Sequence, residues 1–349
     1  MSIDQYQAVV EATRGPIVEC VHFGQITVVD STGKLLASCG DPELVTFIRS
    51  SAKPLQVLSL VEDGGLERFD FSQKELAIMC ASHYGAEDHI NTIQSIQQKI
   101  GLGDEALLCG VHEPLDKDAR ESMHKRGERP GSRHHQCSGK HMGMLANTLL
   151  HGFSIENYIS FDHDLQYLIL NTLAEIWEMP KEDIILGVDG CSAPVFAIPM
   201  KTAALGFARM ADPVNLSEKR AAACRKITAA MGAHPLMVAG EKGFDTELMR
   251  VTKGKVIAKT GADGYQMAAI LPGVIGKDSP GMSVVIKISD GDPRMRSRSL
   301  VTLEVLKQLG AINDNEVKKL ASFYSRPLHN WRKIEIGELK PCFELKWYG

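Results

Sequence analysis

Ser50 and Lys53 stand three residues apart in Arg49-Ser50-Ser51-Ala52-Lys53-Pro54, and Lys259-Thr260-Gly261 follows late in the chain. A Ser-x-x-Lys early and a Lys-Thr-Gly late are the two ends of a serine acyl-enzyme site. A serine hydroxyl is a poor nucleophile until a base takes its proton, and a lysine serves when burial or a second cation lowers its pKa. Backbone N–H groups at a helix start would hold the oxyanion that forms on a bound carbonyl. The bland alternative makes Ser50 a helix cap and Lys53 a solvated side chain. A second cluster, Ala81-Ser82-His83, supplies another hydroxyl, to relay a proton or to act as an alternative nucleophile, and an imidazole to orient or exchange protons. A plain helix terminus is the competing reading there. Lys259, at a strand end, is expected to complete a second Ser-Lys pair with Ser82.

The densest polar segment runs from Gly131 to His141 and contains Cys137-Ser138-Gly139-Lys140-His141; Asp189-Gly190-Cys191-Ser192 follows an apolar run further on. Thiolate and imidazole suit zinc, and ligand chemistry points to a histidine beside the two cysteines. No Cys-x-x-Cys pair and no His-Glu-x-x-His occurs, so a structural loop with a helix cap stands as the alternative.

These groups need elements to carry them. Leu55, Val57, Leu58, Leu60 and Val61 give the apolar face of a helix that begins near Ser51, with Pro54 tolerable in its first turn. Strand-like runs are expected at 16–22, 25–30 and 34–38, and again at 255–259, 265–271 and 282–289. Helical patterns fill the middle at 51–62, 74–80, 87–100, 116–126, 139–150, 164–178, 195–209 and 216–231, with another at 296–309. Strands at both ends with helices between them predict an α+β fold, in which an antiparallel sheet built from N- and C-terminal strands accompanies a large helical lobe. One domain spanning 1–349 is expected, with residues 1–48 and 251–349 as the sheet lobe and 49–250 as the mostly helical lobe.

The composition is that of a folded globular chain with a sizeable core. The chain has 349 residues, 44% of them hydrophobic, a formal net charge of −4 and a pI near 6.3. No electrostatic footprint for nucleic acid follows from that balance, the basic runs at 124–133 and 294–298 being short. Met1 to Arg14 is polar and no apolar run spans a membrane, so a cytoplasmic protein without a membrane partner is expected. The eight cysteines are scattered and lack the density of a disulfide scaffold. No organic cofactor is implied.

Taken together, Thr13-Arg14-Gly15, Arg49-Ser50-Ser51-Ala52-Lys53-Pro54, Ala81-Ser82-His83, Cys137-Ser138-Gly139-Lys140-His141, Asp189-Gly190-Cys191-Ser192-Ala193-Pro194 and Lys259-Thr260-Gly261-Ala262 resemble the Rhizobium etli-type L-asparaginases, the asparaginase II family. The resemblance implies hydrolysis of L-asparagine to L-aspartate and ammonia, a fold similar to serine β-lactamases and penicillin-binding proteins, and a homodimer. It implies Ser50 with Lys53 and Ser82 with Lys259 as two Ser-Lys tandems, with Asp189 beside them. It also implies zinc on Cys137, Lys140 and Cys191, which replaces the expected histidine by a lysine and leaves His135 and His141 as residues around the metal. Arg49 is the candidate for the substrate's anionic end, Asp189 for its cationic end, and His83 a further substrate-binding candidate. The chain departs from the family's pattern at Tyr84, Ala86 and Gly243. Two other readings stand beside this one: a serine amidase or β-lactamase-like acyl hydrolase on another substrate, and a catalytically silent zinc or amino-acid sensor.

Overall fold

The computed structural model describes residues 5–349. Its strands are β1 (Gln7–Arg14), β2 (Ile17–Asp30), β3 (Leu35–Cys39), β4 (Val45–Phe47), β5 (Ile185–Val188), β6 (Pro194–Pro199), β7 (Val256–Thr260), β8 (Tyr265–Ile270), β9 (Met282–Ile288), β10 (Arg326–His329), β11 (Glu335–Pro341) and β12 (Lys346–Trp347). Its helices are α1 (Lys53–Gln56), α2 (Leu58–Glu62), α3 (Gly65–Arg68), α4 (Gln73–Met79), α5 (Glu87–Ile100), α6 (Lys117–Lys125), α7 (Ser138–His151), α8 (Asp164–Trp177), α9 (Met200–Ala211), α10 (Glu218–Ala233), α11 (Pro235–Val238), α12 (Phe244–Val251), α13 (Arg298–Gln308) and α14 (Asp314–Lys319). Among the described residues no helix is long and apolar enough to cross a membrane.

Two compact units emerge among the described residues: 5–51, 198–212 and 251–349 make one, and residues 52–197 and 213–250 the other. The first is a nine-stranded sheet in the order β10-β11-β1-β2-β9-β8-β7, with β3 on β2 and β12 on β3. Adjacent strands run antiparallel, and strands from the two ends of the chain meet where Gly24 to Asp30 of β2 face Ile288 to Met282 of β9. The expected α+β fold with a sheet from both chain ends is what forms. The runs expected as two strands at 16–22 and 25–30 form one continuous strand, β2: its second half is buried, while Ile17 to Val21 are all exposed and pair with β1 as a hairpin. Helix α9 packs on β2, β8 and β9, and α13 on β8, β9 and β11. Segment 198–212 therefore belongs with the sheet and not with the helical lobe. The helix expected at 195–209 begins only at Met200, because the β-branched and aromatic run Pro194–Pro199 is a strand and Pro199 caps the helix after it.

The second unit is built around α4, whose residues Leu76 to Met79 are buried against α5, α7, α10 and α11. Its start is fixed by a capping box: Ser72 accepts from the Glu75 amide at 3.3 Å, and the Glu75 carboxylate returns 2.7 Å to the Ser72 amide. Such a cap contributes about 1 kcal/mol and sets where the helix begins. Helix α7 meets α4 closely. A Cβ on Gly139 would lie 2.0 Å from the Ile78 carbonyl oxygen, so only glycine permits this approach. The short hairpin β5–β6 pairs Ile185 with Ala197 through Val188 with Pro194, and its turn carries Asp189 and Cys191.

Candidate active site

Within the helical unit the centre of the site is the Lys53 side chain, 1% exposed at the start of α1. Its Nζ donates to the Ala81 carbonyl at 2.6 Å, to Ser82 Oγ at 3.0 Å and to Cys137 Sγ at 3.2 Å. Three partners account for the three protons of an ammonium group. The bond from Lys53 to Ser82 is one the sequence does not suggest. The reason is the end of α4: after Cys80 the chain becomes extended, with the Ser82 amide held by the Val238 carbonyl at 2.9 Å and the His83 amide by the Gln136 carbonyl at 3.2 Å.

His83 does not present itself to a substrate as expected. It is 0% exposed, the Gly85 amide donates to its Nδ1 at 3.1 Å, and its Nε2 lies 2.8 Å from Ser138 Oγ. Nδ1 is thus an acceptor, Nε2 carries the proton, and Ser138 passes its own to the Arg133 carbonyl at 2.9 Å. Burial, then the charges of His89 and Lys53, hold this imidazole well below its ordinary pKa. Its role is to tie the Ser82 segment to the first turn of α7.

That first turn holds Cys137 and Lys140, and the β5–β6 turn brings Cys191 to them. Lys140 Nζ lies 3.0 Å from Cys191 Sγ, and the three residues are 4%, 4% and 1% exposed for Cys137, Lys140 and Cys191. A hydrogen bond with Cys191 and the charges of Lys53 and Lys140 hold the Cys137 thiol well below its usual range. Burial lowers the Lys140 pKa, but the Cys191 and Cys137 sulfurs outweigh it and the net shift is upward. Around this group burial brings His135 and His141 down to about 4 and pushes Cys109 up to about 12. His141 Nδ1 is 2.7 Å from the Tyr158 hydroxyl, and the imidazole also has Cys191 as a hydrogen-bonding neighbour. Among the described residues no three His, Cys, Asp or Glu side chains are arranged as a metal site. Two sulfurs and the Lys140 amine are the donors this place offers, and the soft, dry set suits zinc. Tyr158 and Cys109 carried no signal in the sequence, because their proximity depends on loops packed against α7. Asp189 is half-buried, its carboxylate accepting from the Gly190 amide at 2.8 Å, in a turn closed by the Asp189 amide on the Ala193 carbonyl at 2.9 Å.

In the sheet unit Ser50 is half-buried in the 3-10 turn Arg49–Ala52. The turn is anchored by Ser51, whose Oγ donates to the Lys259 carbonyl at 2.8 Å. Lys259 is 0% exposed and its Nζ donates to the Thr260 carbonyl at 2.8 Å. Gly261 closes the strand where a Cβ would come 2.9 Å from the Ile48 carbonyl oxygen and 3.0 Å from Ser51 Oγ. Arg49, the sequence candidate for an anion, has φ +50° and forms an ion pair with Asp263. Its guanidinium is thus matched to a carboxylate of the same unit. Arg298, which the sequence did not single out, donates from Nη1 to the Gly261 carbonyl at 2.9 Å.

Two of the departures from the family's pattern meet in the structure. A Cβ on Gly243 would lie 3.3 Å from the Tyr84 hydroxyl, so the tyrosine occupies the space beside the glycine.

Comparison with curated protein sequences gives no match. Among solved structures, a probable glutaminase from Bacillus subtilis complexed with 6-diazo-5-oxo-L-norleucine is similar at 14% identity, over 82% of this chain and 83% of that one, with a TM-score of 0.38. Another structure described as a Bacillus subtilis probable glutaminase is similar at 12% identity, over 82% and 88% of the two chains, with a TM-score of 0.40. The sequence pattern of L-asparaginase II matches residues 10–341, from the second half of β1 to the end of β11, and on that match the chain belongs to the L-asparaginase II family of amidohydrolases.

Proposed function

We propose that this protein hydrolyses L-asparagine to L-aspartate and ammonia through a serine acyl-enzyme supported by lysine. The observation that carries the reading is the buried Lys53 ammonium 3.0 Å from Ser82 Oγ. A lysine held without exposure and hydrogen-bonded to a serine is the arrangement a Ser-Lys hydrolase requires. In the proposed reaction the Ser50 hydroxyl bonds to the side-chain amide carbon and gives up its proton to a lysine. The C–N bond then breaks, ammonia leaves with a proton delivered through Ser82, and water opens the aspartyl ester by the reverse relay. A neutral lysine is the base this step needs. Lys259 is assigned as the second lysine by the family resemblance.

Ammonia release from L-asparagine, run beside L-glutamine, tests the reading. Wild type is expected to act on asparagine, and Ser50→Ala to lose at least about 1000-fold in kcat. Activity that survives in Ser50→Ala but not in Ser82→Ala would move the nucleophile to Ser82. No release by wild type would sink the asparaginase reading.

Zinc is proposed on Cys137, Lys140 and Cys191, where it would fix the Asp189 turn to α7 and hold the lysine amine in its neutral form. Metal analysis of the purified protein is expected to find close to one zinc per chain, and Cys191→Ser to carry far less. A wild-type protein that is metal-free after zinc loading would refute the assignment.

A further inference from the structure

We propose that Arg298 recognises the α-carboxylate of the substrate, an inference that rests on the reading above that the substrate is an amino acid.

Arg298 is the first residue of α13, and its position is fixed from upstream. The carboxylate of Asp292, 2% exposed, accepts from the amides of Arg296 and Ser297 at 3.0 Å each and from that of Arg298 at 3.2 Å. The root of the side chain is therefore held by a buried cap. Its tip is held too, by the 2.9 Å bond from Nη1 to the Gly261 carbonyl, at the end of Lys259-Thr260-Gly261.

A guanidinium has five N–H donors, and this bond uses one. No carboxylate of the described residues pairs with Arg298. The neighbouring charges are otherwise committed: Asp263 pairs with Arg49 and also accepts Lys287 on its carbonyl, Asp290 pairs with His22, and Asp292 caps the helix. Arg298 is thus a half-buried cation without a counter-charge, reaching from α13 to the strand end that carries the wholly buried Lys259. Taking such a group from water costs free energy that a bound anion offsets, and its planar fork matches a carboxylate through two parallel hydrogen bonds.

The placement also suits the length of the substrate. Ser51, next to Ser50, is tied to the Lys259 carbonyl, and Arg298 to the carbonyl of Gly261 two residues on. These anchors are about 7 Å apart along the strand, a distance that a four-carbon amino acid spans together with its hydrogen bonds. Arg49 stands on the same turn as Ser50 but already has Asp263 as its partner.

The test compares L-asparagine with 3-aminopropanamide, which is asparagine without its α-carboxylate, in wild type, Arg298→Lys and Arg298→Ala. For asparagine, KM is expected to rise at least about 30-fold in Arg298→Ala and about 10-fold in Arg298→Lys. Neither variant should change kcat/KM for 3-aminopropanamide by more than about 3-fold. Equal losses on both amides would mean that Arg298 only braces the strand, and an unchanged KM for asparagine would equally overturn the proposal. Should Arg298→Ala fail to fold, Arg298→Lys decides, because its ammonium can keep the bond to Gly261. Calorimetric titration with L-aspartate separates this proposal from the functional reading. Binding that weakens in the variants supports Arg298 even if wild type releases no ammonia, and binding that does not weaken overturns it. A wild type that neither hydrolyses asparagine nor binds aspartate overturns both.

Discussion

Replacing Lys53 with methionine is expected to lower kcat for ammonia release from L-asparagine by about 10³- to 10⁴-fold while leaving the protein folded. The side chain is buried at the start of α1, with its three hydrogen bonds made inside the helical unit. Methionine matches its length and removes a buried charge, so the packing change is small. The groups left behind are the Ala81 carbonyl, Ser82 Oγ and Cys137 Sγ, and losing the donor costs about 1–3 kcal/mol for each of them that finds no other partner. That loss shifts the melting temperature without unfolding a chain of this size, whereas the loss of the exchangeable lysine proton beside Ser82 stops the relay. Lys53→Arg is the informative companion. It keeps the charge and donors, yet a guanidinium does not give up its proton near neutral pH, so it should be as inactive as the methionine variant. Steady-state ammonia release with a parallel melting curve checks both. A folded Lys53→Met enzyme that kept a tenth or more of wild-type kcat would remove lysine from the mechanism and with it the Ser-Lys reading.

The same residue shows what the sequence could and could not convey. Ser50, Lys53, Ser82, Cys137, Cys191 and Lys259 stand out as candidates by type and local spacing, because chemistry-bearing residues sit in short segments whose spacing is set by one helix start or one turn, whereas Lys140 is named only by the family resemblance, ligand chemistry pointing to a histidine. The partner of Lys53 was not recognisable. It depends on how the extended segment after α4 is pinned by residues 136 and 238, which are remote in sequence. Arg298 was hidden for a similar reason. It lies in a short basic run that says nothing about nucleic acid, and only the sheet brings it to Gly261. Strands β7, β8 and β9, from the edge of the sheet inward, announced themselves as apolar runs between turn signals. Strand β1 was missed because its polar residues mask an inward set of Val9, Val10 and Ala12, and β10 to β12 because their residues are mostly half-exposed. In the stretch 194–199 helical spacing and strand propensity competed, and the two prolines decided for the strand.

The contact that brings the serine and sulfur groups together can be tested by the smallest possible change. Gly139→Ala is expected to destabilise the protein by about 3 kcal/mol or more, although alanine favours a helix interior over glycine by about 1 kcal/mol. The added methyl would lie 2.0 Å from the Ile78 carbonyl oxygen and 2.8 Å from its carbon, and backbone atoms cannot rotate away. Helix α7 would have to withdraw from α4, carrying Cys137 and Lys140 with it and away from Lys53 and the segment of Ser82. Gly143→Ala, one turn further along the same helix, is the control. There the nearest atom is the Met79 side chain at 3.3 Å, which is flexible, so the propensity gain should roughly cancel the crowding. Urea unfolding of the two variants beside wild type reads the difference. If Gly139→Ala unfolds within about 1 kcal/mol of Gly143→Ala, the close approach of α4 and α7 does not fix the site. The expected large gap, with catalytic loss in Gly139→Ala alone, would make the absence of one side chain the condition that lets Lys53 reach Ser82 and Cys137 together.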